Sequence, residues 1–418
     1  SIGQLTDITA ALNYNTSGTS LTNTTFSASS AMTNLHSAAD GSRRVFNFEP
    51  GVAATTPTDL TFTSVGLTTM TLNWVDSPNE IRYAIFRSTD GTNYTLINGS
   101  VAAGTTTFAA TGLNPGTIYY WRVYALSEGK LGTPLSGSQV TNAASFSGTK
   151  SIGPGGDYET LTAAIAAATA SGLSGAAIFE LQSTFTGVGE TLPITIGSIP
   201  GASAANTLTI RPVTGATGLS ISGSNTTAIL DLNGARYVIV DGRPGGTGAL
   251  SQLTMSNTST SGATIRLIND ASNNTMQYLD LRGIVTSTTS GVVLFSTTTG
   301  TTGNDNYTIA YCHIRDGAST PTNGIYAAGT ASKTNDNNTI SNCNIFNFFN
   351  ASSDNAGIKI TSNNTSWSIL NNSFYQTTSR TYSSGVFSYP ISIVNTSGNG
   401  FTVSGNYIGG TAENCGST

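Results

Sequence analysis

At 418 residues the chain is long enough for two or three domains, yet only 9% of it is charged, against about 25% in an average soluble protein. Its 16 Lys+Arg and 21 Asp+Glu leave a net charge of −5, with no basic stripe to displace counterions, which excludes electrostatic capture of nucleic acid or anionic membrane. Two histidines and three cysteines argue against a zinc cluster, and no apolar run approaches the roughly 20 residues that span a bilayer.

Residues 1–53 carry short β-type patterns, such as Arg44-Val45-Phe46-Asn47-Phe48, between Thr/Ser/Asn loops. They are too few for a core of their own and are expected to form a strand-rich arm or the tail of a preceding β-domain, with disorder as the alternative. Ser1-Ile2-Gly3 lacks the charged and apolar regions of a signal peptide, so a removed signal or an internal cut is expected. The hydroxyl-rich, charge-poor composition points to an extracellular or cell-surface location.

Residues 54–143 read as alternating runs split by turn signals, the pattern of a β-sandwich. The runs include Leu60-Thr61-Phe62, Met70-Thr71-Leu72-Asn73-Trp74 and Tyr83-Ala84-Ile85-Phe86-Arg87 before the turn Asp90-Gly91. Pro57, Trp74 and Leu113-Asn114-Pro115-Gly116-Thr117-Ile118-Tyr119 before Arg122-Val123 resemble a fibronectin type III domain. The resemblance implies that Trp74 fills the sandwich core and Tyr119 closes a corner. No Arg-Gly-Asp occurs, so integrin binding is not supported.

From residue 148 to 418 the pattern changes. Leu161, Ala164, Ile165 and Ala168 are spaced i, i+3, i+4, i+7, which predicts one short amphipathic helix with Asp157 as its N-cap. Beyond it two motifs recur. Gly291, Gly324, Gly357 and Pro390 lead alternating runs at steps of 33. Met276-x-x-Leu279-Asp280-Leu281 reappears at Ile309, Ile340, Ile369 and Val403, with an earlier copy read at Tyr237–Gly242. A period near 30 residues with short strands and no helix fits one coil of a parallel β-helix, in which like residues stack. Leu279, Leu281, Cys312, Ile314, Cys343 and Ile345 are the expected inward positions. Cys312 and Cys343 then share a register, open to a disulfide or, more in keeping with an apolar interior, two stacked thiols.

The stretch from Ile152 through Gly153, Gly155, Gly156 and Tyr158 to Ile165, followed by Phe179-Glu180-Leu181, resembles the opening of right-handed parallel β-helix domains, where the helix caps the stack. A fibronectin-like module beside such a β-helix is similar to multidomain surface proteins exported by the type IX secretion system. Those usually end in a sorting domain. None is visible here, and the pattern stops in mid-repeat near residue 408, so a β-helix truncated at its C-terminal end is expected.

In this register Asp280 and His313 are equivalent on successive coils, as are Arg282 and Arg315, and Asp241 is expected one coil earlier. β-Helix lyases and hydrolases work on such an outward face with an Arg base, acidic residues and often calcium. That reading gives Arg315 or His313 as base and Asp280 and Asp316 as acid or calcium ligands. The competing reading is a ladder of ion pairs, Asp241–Arg282 and Asp280–His313. No Asp-Asp motif of the inverting hydrolases occurs. Tyr237, Tyr278 and Tyr311 are expected in one column, suited to stacking on sugar rings.

The expected fold is all-β: a fibronectin type III-like sandwich plus a right-handed parallel β-helix with a capping helix. The expected function is a non-catalytic secreted or cell-surface protein, an adhesin or structural spacer, with no resident cofactor. Its expected partners are surface glycans, other cell-surface proteins and the secretion machinery. The alternative is a carbohydrate-active enzyme working on the Asp280, His313, Arg282 and Arg315 face, with calcium.

Overall fold

The computed structural model describes residues 54–127 and 130–416, so the arm expected at residues 1–53 lies outside the described residues. The chain divides into two compact units between Ala143 and Ala144.

Among the described residues the first unit is a sandwich of eight strands: β1 (Thr58–Thr63), β2 (Met70–Val75), β3 (Arg82–Ser88), β4 (Thr95–Ala102), β5 (Thr107–Ala110), β6 (Ile118–Ser127), β7 (Lys130–Leu131) and β8 (Leu135–Val140). β1, β2 and β5 make one sheet; β4, β3, β6, β7 and β8 make the other. Period-two alternation decides what is inside. Met70, Leu72 and Trp74 are buried from β2, and Tyr119, Trp121, Val123 and Ala125 from β6. Trp74 packs edge-on against Tyr83 at 5.3 Å. The Tyr119 hydroxyl accepts from the Asn114 amide at 2.8 Å, which pins the turn before β6. Both residues take the places the resemblance implies. Trp121, fully buried, shares the core with Trp74.

The second unit is a β-solenoid of about eight turns. Most of its strands form three parallel faces, and Asn335–Asp336 pairs separately with Asn364–Thr365. The first has nine strands, from Phe146–Ile152 to Thr402–Ser404. The second has seven, from Ile194–Ile196 to Ser388–Ile393. The third also has seven, from Leu219–Gly223 to Tyr407–Ile408. Beyond the first coil each turn visits the first face, then the third, then the second. Met276, Ile309, Ile340, Ile369 and Val403 pair in register on the first face. Leu281, Ile314, Ile345 and Phe374 do so on the third, fully or almost fully buried. One coil leaves its apolar side chains wet, and the next dries them, so the core is continuous along the stack.

Cys312 and Cys343 are free and buried in one inward column, their thiols donating to the carbonyls of Ala310 and Ser341, both at 3.3 Å. Further along, that column switches to asparagine. Buried Asn372 accepts from the Cys343 amide at 2.9 Å and donates to the Ile340 carbonyl at 2.9 Å, and Asn406 accepts from the Asn372 amide at 2.9 Å. Each amide side chain thus satisfies backbone groups where a coil turns a corner. A second such ladder joins Asn304, Asn335 and Asn364.

Three expectations need correction. Helix α1 (Leu161–Ser171) buries Leu161, Ala164, Ile165 and Ala168 as its spacing predicts, but its N-cap is Thr160, not Asp157. Glu190 accepts from the Leu161 and Thr162 amides at 2.6 and 2.8 Å, supplying the anion that the helix N-terminus favours. Asp157 instead accepts from the amide and hydroxyl of Ser151. The glycine series slips by one residue at its start, because Val293 pairs with Ile325. Gly324 and Gly357 do share a column, and a Cβ on Gly357 would lie 2.6 Å from both the Phe374 ring and the Pro390 carbonyl. Finally, Val238–Asp241 is a first-face strand, with Val240 opposite Met276, so Tyr237–Gly242 is not an earlier copy of the Leu279-Asp280-Leu281 run. That place belongs to Leu253-Thr254-Met255.

Candidate functional site on the third face

Two outward columns run along the third face. One reads Thr254, Asp280, His313, Asn344 and Ser373; the other reads Ser256, Arg282, Arg315, Phe346 and Tyr375. Strand alternation points their side chains away from the core, and in-register stacking brings them together. The expected equivalence of Asp280 with His313, and of Arg282 with Arg315, is therefore present.

Asp280 lies between both arginines. It accepts from Arg282 Nη2 at 2.5 Å and Nε at 2.8 Å, and from Arg315 Nε at 2.9 Å and Nη2 at 3.2 Å. Burial pushes its pKa up, but the Arg282 and Arg315 guanidiniums outweigh this and hold the carboxyl below its usual range. The ion pairs differ from those expected. His313 is exposed and meets the Phe346 ring edge-on at 6.3 Å, while Asp280 serves the arginines. Asp241 is not in this column. It binds Arg243 with Nη2–Oδ2 at 2.8 Å and accepts from Gln277 at 2.8 Å on the first face. The cause is the face assignment corrected above: two strands of one coil carry the same alternation, and only the paired register tells them apart.

The aromatics are arranged similarly. Tyr278 and Tyr311 stack at 4.8 Å and 8°, and the Arg243 guanidinium lies 4.3 Å from the Tyr278 ring. Arg243 comes from the coil before and Tyr311 from the coil after, so both faces of Tyr278 are covered. Tyr311 remains 49% exposed. Tyr237 belongs elsewhere. Tyr278 and Tyr311 precede the third face in a column of left-handed residues continued by Asn342 and Asn371, whereas Tyr237 opens another such column, before the first face, with Asn273, Asn306 and Asn337. Asparagine is the favoured residue other than glycine in that backbone region, so the two tyrosines stand where a smaller residue is the norm.

Phe346 and Tyr375, unassigned by sequence reasoning, repeat the device. They stack at 4.7 Å and 8°, with the Arg315 guanidinium 5.7 Å from the Phe346 ring. Burial, with Glu413 adding to it, pushes the Tyr375 hydroxyl up to about 12. The signal that finds them is the motif's own spacing: steps of 31 and 29 from Arg315 land on Phe346 and Tyr375.

The two carboxylates expected as calcium ligands have protein partners. Asp280 is occupied by two guanidiniums, and Asp316 accepts from Asn347 at 3.0 Å. Among the described residues no three or more His, Cys, Asp or Glu side chains are grouped so as to hold a metal ion.

Comparison with protein-family models matches residues 55–140 to the fibronectin type III domain. No curated protein matches the chain. Similar solved structures include a computationally redesigned β-sandwich protein, 21% identical, covering 21% of this chain and 96% of that one, with a TM-score of 0.20. Another is the fibronectin type III domain of human collagen XX, 23% identical, covering 22% of this chain and 98% of that one, also with a TM-score of 0.20.

Proposed function

We propose that the chain is a non-catalytic secreted or cell-surface protein whose solenoid acts as a rigid spacer and presents its third face to glycans or other proteins. The observation that carries this reading is that outward charges and rings are taken up by neighbouring coils. Asp280 joins Arg282 to Arg315, Tyr278 lies between Arg243 and Tyr311, and Phe346 lies between Arg315 and Tyr375. Groups held this way stiffen a surface and fix its pattern. A base must be free to take a proton from substrate, and a guanidinium doubly bonded to a carboxylate is poorly placed for it. A fibronectin type III domain beside a solenoid fits a surface or structural protein. Export by the type IX system belongs to the same reading.

The test is a glycan array and a cell-surface protein capture, run beside turnover assays on acidic polysaccharides with and without calcium. Binding without turnover is expected. Turnover abolished by Arg315→Ala or His313→Ala would replace the spacer with the enzyme.

A further inference from the structure

A cavity of about 330 Å³ opens where the loop after the third-face strand Ser373–Tyr375 meets the turn after Tyr407–Ile408. Gln376, Thr378, Ser379, Arg380, Tyr382, Gly410 and Thr411 line it. Its volume falls at the lower end of ligand pockets. The wall carries the Gln376 amide, the hydroxyl-bearing side chains of Thr378, Ser379 and Thr411 and the Tyr382 ring, and Arg380 is its cation.

Arg380 is held in place without being neutralised. Its Nε donates to Gln376 Oε1 at 3.1 Å. Gln376 is itself oriented, because its Nε2 donates to the Phe348 carbonyl at 2.8 Å. The guanidinium lies 5.3 Å from the Phe349 ring, and Tyr382 meets that ring edge-on at 4.9 Å. Among the described residues no carboxylate stands within ion-pair distance of Arg380; it shares this with Arg236 in the solenoid, whereas Arg211, Arg243, Arg266, Arg282 and Arg315 there each have one. Nε is engaged, and the two terminal amino groups are the ones that form a fork for a planar oxyanion.

We propose that this cavity is a subsite for an anionic sugar residue, with Arg380 gripping the carboxylate or sulfate and Tyr382 and the loop hydroxyls contacting the ring. The assignment rests on the glycan-presenting reading and narrows it to acidic glycans at one place. Gln376 acts as a positioning residue, holding the guanidinium in the orientation the anion needs.

The test titrates the whole chain calorimetrically with trigalacturonate, with its methyl ester and with a sulfated disaccharide, at low and at physiological salt. Binding of at least one anionic probe is expected, weakening as salt rises. Arg380→Gln should weaken it about tenfold or more, and Arg380→Lys by less, since the charge survives but the fork does not. The anionic probe that binds identifies the anion. No binding of either anionic probe, equal binding of the methyl ester, or affinity unchanged in Arg380→Gln would each overturn the subsite. Glycan-array binding that survives Arg380→Gln removes this cavity while leaving the presenting-face reading intact. An array with no ligand at all removes that reading too.

Discussion

The sandwich and the solenoid bury their apolar residues by opposite means. In the sandwich, β2 and β6 lie in different sheets, and their Trp74 and Trp121 fill one compact core. Every large side chain there is supported by residues distant in sequence, so the unit stands or falls together. In the solenoid each inward residue rests on its equivalent about 30 residues away, and the core is a set of ladders without a centre. Stability is then a sum of neighbour terms, and damage stays near where it is made.

The sharpest way to break the comparison is Trp121→Ala. Removing this fully buried ring is expected to cost the sandwich about 3–5 kcal/mol. Hydrogen exchange read by mass spectrometry should rise in all its strands. Protection lost only in β6 would make the sandwich behave like a repeat.

Asn372→Ala is the counterpart in the solenoid. It strands the Cys343 amide and the Ile340 carbonyl, at about 1–3 kcal/mol for each buried group left unsatisfied. Exchange should rise in the coils around residues 340–408 and stay unchanged near residues 177–240. A uniform rise would show that the coils unfold as one body.

Asp280→Asn tests the ion pairs across coils. The folded-state pKa of Asp280 is depressed, so its contribution is complete above the ordinary carboxylate pKa and is lost as pH falls through the lower folded value. Unfolding free energies from urea titration should separate wild type from variant by about 1 kcal/mol at neutral pH, and the difference should close in acid. A gap independent of pH would mean the effect is packing, not charge.

Tyr311→Asn should have the smallest effect. It loses a ring stack contributing about 0.5–1.5 kcal/mol, but it places at a left-handed position the residue type found there at Asn342 and Asn371. The two effects nearly cancel, so the thermal midpoint should move little. A large fall would make the tyrosine stack a structural requirement of that corner.

Much of this architecture is legible in the chain. The Leu279, Cys312 and Cys343 column follows from counting, because a stack requires like positions to recur and tolerates variable loops. Asp280 and His313 are equivalent for the same reason. Asp241 and Tyr237 went astray because alternation alone does not say which face a strand belongs to. The Gly291 slip has a related origin: a step of 32 and one of 33 are equally plausible in sequence, and only pairing chooses. The Arg380 cavity has no sequence signal at all, since it joins a loop to a turn some 30 residues later.

By itself the sequence determined that the chain is β-rich, that a sandwich precedes a repeat, and which residues of the repeat face inward. Periodicity and burial are local properties, written into every coil. Only the tertiary structure decided which partners the outward groups take: Asp280 with two arginines and not with His313, Tyr278 between Arg243 and Tyr311, and Thr160 with Glu190 on the helix end in place of Asp157. Those choices depend on distances across coils and loops, and a distance between side chains exists only once the chain has folded.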